Sequence, residues 1–304
     1  MPRKGKDPRP PTGTREWAAR TVNVVRGCPH GCRYCYARAN AVRFATIQSH
    51  EEWGTTYHHL DEQAVAKGRG KVAGGRVMFP SSHDITPQFA GACIEVMRKV
   101  LAAGNELLIV TKPHVKVVGQ VRRELQQFQS RVTWRFSIGT TLDHVRQCWE
   151  PNAPTIGERI TALRETFDAG WTTSVSMEPA LSPWMLPQDV CFLASWVNDS
   201  IWIGTARQLR SRCSPDTPQA WIRLLEKWQT PAAVRKIYRR LKDHPLVRWK
   251  DSYQQILGLH QSTATGTVRG PLLPSQGDFN DAQDLPTEND AGPDRGRCDA
   301  DSGA

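Results

Sequence analysis

From about Thr21 to Leu259, short runs of apolar residues alternate with stretches whose apolar positions recur every three to four residues. The short β-branched runs predict strands, and the longer periodic stretches predict helices. Six strands are expected, over Thr21–Arg26, Arg76–Phe79, Leu107–Val110, Val132–Ile138, Trp171–Met177 and Ile201–Ile203. Helices are expected over Tyr34–Ile47, Gln88–Ala103, Val115–Phe128, Thr155–Ala169, Asp189–Val197 and Trp221–Trp228. Gly104 and Gly170 stand where helix C-caps belong. In Gln88–Ala103 the apolar positions Phe89, Cys93, Val96, Met97 and Val100 make one stripe.

Strands and helices in strict alternation imply a parallel sheet with right-handed crossovers. A closed eight-fold barrel needs about 250 residues and eight units. Six units predict an open α/β architecture, a partial (β/α)6 barrel, in which the loops after the strand C-termini build the site. Residues 46–75 fit this plan poorly and read as an insertion or flap. The pair His58 and His59 lies there without the Cys or carboxylate spacing that would support a metal site.

The ends differ from the middle. Residues 1–16 are rich in Pro, Arg and Lys and read as a flexible basic arm. Residues 17–261 read as the core domain with a C-terminal helical extension. Residues 262–304 are poor in apolar residues and rich in Gly, Pro, Asp and Ser, and read as a disordered acidic tail. No apolar run approaches the roughly 20 residues a membrane span needs. The first residues are basic with no apolar stretch behind them, so a cytoplasmic protein is expected.

Charge sharpens this division. The net charge of +10 comes from 40 Lys and Arg against 30 Asp and Glu. Only three of the basic residues but eight of the acidic ones fall in 262–304. Residues 1–261 therefore hold 37 basic and 22 acidic residues, a net +15. So basic a body suits a polyanionic partner, nucleic acid foremost. Positive charge concentrates in Gln208–Ser214 and again in Arg235–Lys242, with Tyr238, Trp249 and Tyr253 near the second, a mixture that single-stranded nucleic acid favours.

Eight cysteines in a reducing compartment do not read as a disulfide framework. Cys28, Cys32 and Cys35 fall within eight positions; Cys93, Cys148, Cys191, Cys213 and Cys298 are scattered. Clustered cysteines read as metal ligands. Structural zinc wants four protein ligands, and only His30 is near enough to complete a local set. Three thiolates without a fourth suit an iron–sulfur cluster with one iron left open. A non-catalytic zinc-binding nucleic-acid module is the competing reading.

The motif Cys28–Cys32–Cys35, with Tyr34 before the last cysteine, resembles that of the radical S-adenosylmethionine (SAM) superfamily. Its flanks, from Asn23 to Arg38, resemble the spore photoproduct lyase-like, or DNA repair photolyase, group. Further matches are SSHDITP at 81–87, Val110–Thr111–Lys112, Ser137–Thr141 and Trp149–Arg159, so the resemblance covers about 20–205. It implies a [4Fe–4S] cluster on Cys28, Cys32 and Cys35. The open iron would chelate SAM, and reductive cleavage would give a 5′-deoxyadenosyl radical. A reducing partner such as flavodoxin or ferredoxin is implied with it.

For SAM, the resemblance and the strand ends point to Ser81, Ser82 and Asp84 after the second strand. Lys112 ends the third, and Ser137 and Thr140 leave the fourth. Glu178, after the fifth, is expected to meet a ribose hydroxyl or the substrate. The resemblance also implies a cysteine that donates a hydrogen atom, for which Cys148 and Cys213 are the loop candidates. Arg146, Glu150 and Arg159 read as a structural ion-pair group. The expected reaction is lesion repair or base modification of nucleic acid; a peptide or small metabolite is the alternative substrate.

Overall fold

The computed structural model describes residues 11–259. Nine strands are found there: β1 (Arg20–Thr21), β2 (Val25–Arg26), β3 (His59–Leu60), β4 (Arg76–Phe79), β5 (Glu106–Thr111), β6 (Val132–Ser137), β7 (Thr172–Met177), β8 (Ile201–Ile203) and β9 (Val247–Trp249). Seven form one sheet in the order β1-β4-β5-β6-β7-β8-β9, every neighbouring pair parallel. Its edges β1 and β9 do not pair with each other, so the sheet is open. β2 and β3 make a separate antiparallel pair.

The helices are α1 (Tyr36–Arg43), α2 (Glu62–Ala66), α3 (Ala90–Ala102), α4 (Val115–Glu124), α5 (Asp143–Trp149), α6 (Ile156–Asp168), α7 (Leu186–Leu193), α8 (Leu209–Arg212), α9 (Gln219–Trp228), α10 (Pro231–Leu241) and α11 (Asp251–Leu257). In α3 the buried residues Cys93, Val96, Met97, Val100 and Leu101 follow the expected stripe, and Gly104 beyond it has φ +83°. Thr155 caps α6 by accepting from the Glu158 amide at 3.2 Å.

Alternation along the strands gives the sheet two faces. One, through Val77, Phe79, Leu107, Ile109, Trp134, Phe136 and Val175, packs against helices as the main core. The other carries Met78, Leu108, Val110 and Trp202, and it is covered by Trp17 and Ala18. The chain ahead of β1 thus lies across the sheet from one edge to the other. Lys250, after β9, donates to the Gly13 carbonyl at 2.8 Å, and the Ala19 amide donates to Arg76 in β4 at 3.1 Å.

Several expectations change. The single strand over Thr21–Arg26 is two, because Asn23 turns its side chain across to β4's end. Its Oδ1 accepts from the Ser81 amide at 2.7 Å and the Ser82 amide at 3.0 Å. A seventh sheet strand, β9, extends the expected six. The segment 46–75 is built into the body: Trp53 is buried, and β3 pairs with β2. The last part of the expected arm over 1–16 is a packed 3-10 turn, Gly13–Glu16, whose Glu16 carboxylate is 2.7 Å from the buried Lys250 ammonium. Residues 1–10, the expected tail over 262–304 and Cys298 lie outside the described residues.

Candidate functional site

The cysteine loop leaves β2 and ends on α1. Two of its glycines have positive φ, Gly27 at +72° and Gly31 at +64°. At Gly27 a Cβ would stand 2.2 Å from the Trp53 carbonyl oxygen, so only glycine lets the segment 46–75 cradle the loop. The Cys28 amide donates to that same carbonyl at 3.1 Å. Cys35 caps α1, its sulfur accepting from the Arg38 amide at 3.5 Å.

All three thiols are free and partly accessible. Burial pushes the Cys28 thiol up, with the Asp84 carboxylate and the other two cysteines adding to it. Burial likewise pushes Cys32 up to about 12, against the opposing charge of Lys112. Uncompensated thiolates are thus disfavoured here, and a cationic centre shared by the three would relieve them. Among the described residues, no group of three or more His, Cys, Asp or Glu side chains is placed to hold a single metal ion.

Behind the loop sits a buried charged hub. Glu150 is 1% exposed and Arg159 fully buried, with their charged atoms 2.5 Å apart. Tyr34 donates its hydroxyl to Glu150, and the Lys112 ammonium lies 3.8 Å from the same carboxylate and over the Tyr34 ring. Burial opposes charge on Lys112, but Cys32, Tyr34 and Glu150 together hold it protonated. Glu150's carboxyl stays below its ordinary range: burial opposes this, and Arg159 and Lys112 outweigh it. Of the expected trio, Arg146 pairs with Asp143 at 2.9 Å and meets Glu150 through its backbone carbonyl, at 3.3 Å.

Asp84, expected beside SAM, is buried and fully engaged. It accepts from the Thr111 hydroxyl, from the Lys112 amide at 2.9 Å and from the Ile85 amide at 2.8 Å, and faces His30 at 3.4 Å. These partners, His30 first, hold its carboxyl well below the carboxylate range although burial acts the other way. Its place in the structure is to tie the ends of β4 and β5 to the cysteine loop. Ser81 bonds Asn23 at 3.0 Å, and its carbonyl accepts from the Tyr36 hydroxyl at 2.6 Å.

Ser82 and Ser137 are partly exposed, and their side-chain hydroxyls make no hydrogen bond among the described residues. Thr140 is fully buried; its hydroxyl accepts from the Leu142 amide at 3.0 Å and from Ser182 at 2.7 Å, which shapes the turn.

Glu178 follows β7 and lies over Gly204, where a Cβ would come 2.8 Å from its Cγ. The Lys250 ammonium is 3.5 Å away. Burial raises the Glu178 carboxyl above its ordinary value, with Lys250 opposing. Lys250 itself, fully buried between Glu16, Glu178 and the Trp17 ring, was invisible in the sequence, where it is one more cation in a basic stretch.

The two cysteines expected as hydrogen donors differ in setting: Cys148 is buried in a helix, and Cys213 is partly exposed in the loop after α8. Cys148 is in α5 and 1% exposed. Cys213 follows α8 and packs against the small cluster of Leu209, Ile222 and Leu225. His58 meets the edge of the Phe89 ring, their centroids 5.1 Å apart.

The site therefore defines an open, parallel α/β sheet with a glycine-bent three-cysteine loop against its strand ends. No family model matches the chain. A curated relative, the uncharacterized protein ORF301 of Acidianus two-tailed virus, is 27% identical over 182 residues, 57% of this chain. The chain spans about 59% of that relative's length. Among solved structures, the fold is similar to an alanine variant of spore photoproduct lyase, 14% identical, with a TM-score of 0.47 and 75% of each chain covered. The same variant with a dinucleoside spore photoproduct is 17% identical, with a TM-score of 0.44, over 74% of this chain and 61% of that one. No helix among the described residues is long and apolar enough to cross a membrane.

Proposed function

We propose that the protein is a radical SAM enzyme that holds a [4Fe–4S] cluster on Cys28, Cys32 and Cys35 and acts on nucleic acid. The observation that carries this is the cysteine loop. Three thiols share one glycine-bent turn at the strand ends, two of them, Cys28 and Cys32, destabilised as isolated thiolates, and among the described residues no set of side chains is placed to close around a single ion as structural zinc requires. The cluster, when bound, supplies the electron that cleaves SAM, and a ferredoxin or flavodoxin is the fitting class of donor.

The chain's own residues do the rest. Lys112 sets positive charge beside Cys32, and Glu150 and Arg159 fix that lysine from behind. Ser82 and Ser137 offer uncommitted hydroxyls for the polar groups of SAM. Glu178, after β7 and with its carboxyl raised by burial, is suited to a ribose hydroxyl. The net +15 of residues 1–261 supports a nucleic-acid substrate.

Anaerobic reconstitution with iron and sulfide tests the metal assignment. The reading expects uptake in the ratio of a [4Fe–4S] cluster, and a reduced-cluster electron paramagnetic resonance signal that shifts when SAM is added. Alanine at any of the three cysteines should abolish both. A colourless protein that takes up zinc and no iron would overturn the reading.

A further inference from the structure

The segment between β8 and α9 was marked in the sequence only by its positive charge. The structure gives it a place. Its short helix α8 packs against α1, the helix that Cys35 caps. The Ser214 amide just beyond α8 donates to the Arg33 carbonyl in the cysteine loop at 3.0 Å. The segment is thus fastened to the cysteine loop at its far end.

Its arginines divide by their partners. Arg210 turns outward to Glu226, 2.5 Å away. Arg207 is held by one nitrogen, Nη2, which lies 2.9 Å from Asp251 and 2.8 Å from the Gln255 side chain. The rest of its fork has no partner among the described residues. Arg212 is partly buried, and its guanidinium makes neither a hydrogen bond nor an ion pair among the described residues. Its electrostatic neighbours are Arg207, Tyr36 and Cys35 at the start of α1, and Glu178 after β7.

Two guanidinium groups side by side, one anchored and one uncommitted, repel each other unless an anion lies between them. Burial and Arg207 lower the Arg212 pKa, with Tyr36, Glu178 and Cys35 opposing. Among the described residues no carboxylate is paired with it. Tyr36 beside it is 39% exposed, with its hydroxyl fixed on the Ser81 carbonyl, so the ring is held as an open aromatic face.

We propose that Arg212, backed by Arg207, is a binding subsite for a phosphodiester of a nucleic-acid strand, with Tyr36 offering a stacking face to an adjacent base. The planar fork of a guanidinium matches the two free oxygens of a phosphodiester, and arginine joined to an aromatic ring is the usual pairing for unpaired strands. The residues assigned to SAM stand at the ends of β4, β6 and β7, whereas both arginines follow β8. This inference rests on the proposed nucleic-acid substrate and names the residues that would receive it.

The test is fluorescence anisotropy with a labelled single-stranded DNA oligonucleotide and its uncharged methylphosphonate counterpart, at several salt concentrations. Cluster-loaded wild type, Arg212→Ala, Arg212→Lys and a control, Arg123→Ala on α4, are compared. The wild type should prefer the phosphodiester strand. Arg212→Ala should bind it about tenfold less tightly and flatten the salt slope by about 0.7, the contribution of one single-strand phosphate. Arg212→Lys should recover the slope but not the full affinity, because it keeps the charge and loses the fork. An equal loss in Arg123→Ala would overturn the subsite as non-specific charge. Unchanged oligonucleotide binding in Arg212→Ala, with SAM binding lost instead, would assign the arginine to the SAM carboxylate and overturn the subsite alone. A wild type that does not distinguish the two strands would overturn the nucleic-acid reading with it, while the cluster assay would still stand.

Discussion

Replacing Glu150 by glutamine removes the only negative charge from the hub behind the cysteine loop while keeping its shape. Arg159 is fully buried and 2.5 Å from Glu150, so in the variant its charge remains buried with no carboxylate opposite. Breaking such a pair typically costs about 3–5 kcal/mol. The amide oxygen of glutamine can still accept one bond from Arg159 or Tyr34, which returns about 1 kcal/mol. Lys112, 17% exposed in its side chain, retains some access to water and adds little. The expected loss is therefore about 2–4 kcal/mol, a large part of the roughly 5–15 kcal/mol that holds a domain together. Guanidinium denaturation followed by circular dichroism reads it as a lower midpoint. Adding Arg159→Met should recover at least about 1 kcal/mol, because the stranded cation goes with it. The difference between wild type and Glu150→Gln should also shrink in acid. A carboxyl held low in the folded state stabilises above its unfolded pKa, and that contribution fades as pH falls through the folded value. A Glu150→Gln protein within about 0.5 kcal/mol of wild type at neutral pH would refute the reasoning, since that is the scale of an ordinary surface substitution.

Other predictions follow from single residues. Burial raises the Glu16 carboxyl from 4.5 to about 7, with Lys250 opposing, so its contribution to stability should decline as pH rises from about 4.5 to 7. Thermal melts across that window should show the decline in wild type and not in Glu16→Gln. Gly27→Ala combines a left-handed backbone with a Cβ 2.2 Å from the Trp53 carbonyl, and should cost about 2–5 kcal/mol and lower the iron bound after reconstitution. Thr140→Val strands the Leu142 amide and leaves the Ser182 hydroxyl only Asp189, at 3.2 Å, so it should cost about 1–3 kcal/mol in denaturation.

The sheet was legible where strands are dense in β-branched, aromatic and other apolar residues. Arg76–Phe79 and Ile201–Ile203 fall where their β-branched and aromatic runs place them, and α3 follows its apolar stripe. β9 was not, since its three residues follow a proline in a basic stretch that reads as surface. β2 and β3 depend on the Asn23 side chain and on pairing across the segment 46–75, neither of which leaves a periodic trace. In the site, the cysteine spacing was plain because ligands must be near one another in sequence to share a short loop. Asp84 and Thr140 stand at strand ends as expected, but polar residues there can serve a ligand or the backbone. Only the geometry shows that both are occupied by the backbone and neighbouring hydroxyls. The Glu16–Lys250–Glu178 contact joins residues 234 and 72 positions apart and could not be read from spacing.

Reductive cleavage of SAM is the central claim, and the release of 5′-deoxyadenosine measures it directly. Anaerobically reconstituted protein, given dithionite and SAM, should form 5′-deoxyadenosine, and the Cys32→Ala protein should form none. Iron-loaded wild-type protein that yields no 5′-deoxyadenosine, or a Cys32→Ala protein that yields as much, would contradict the account.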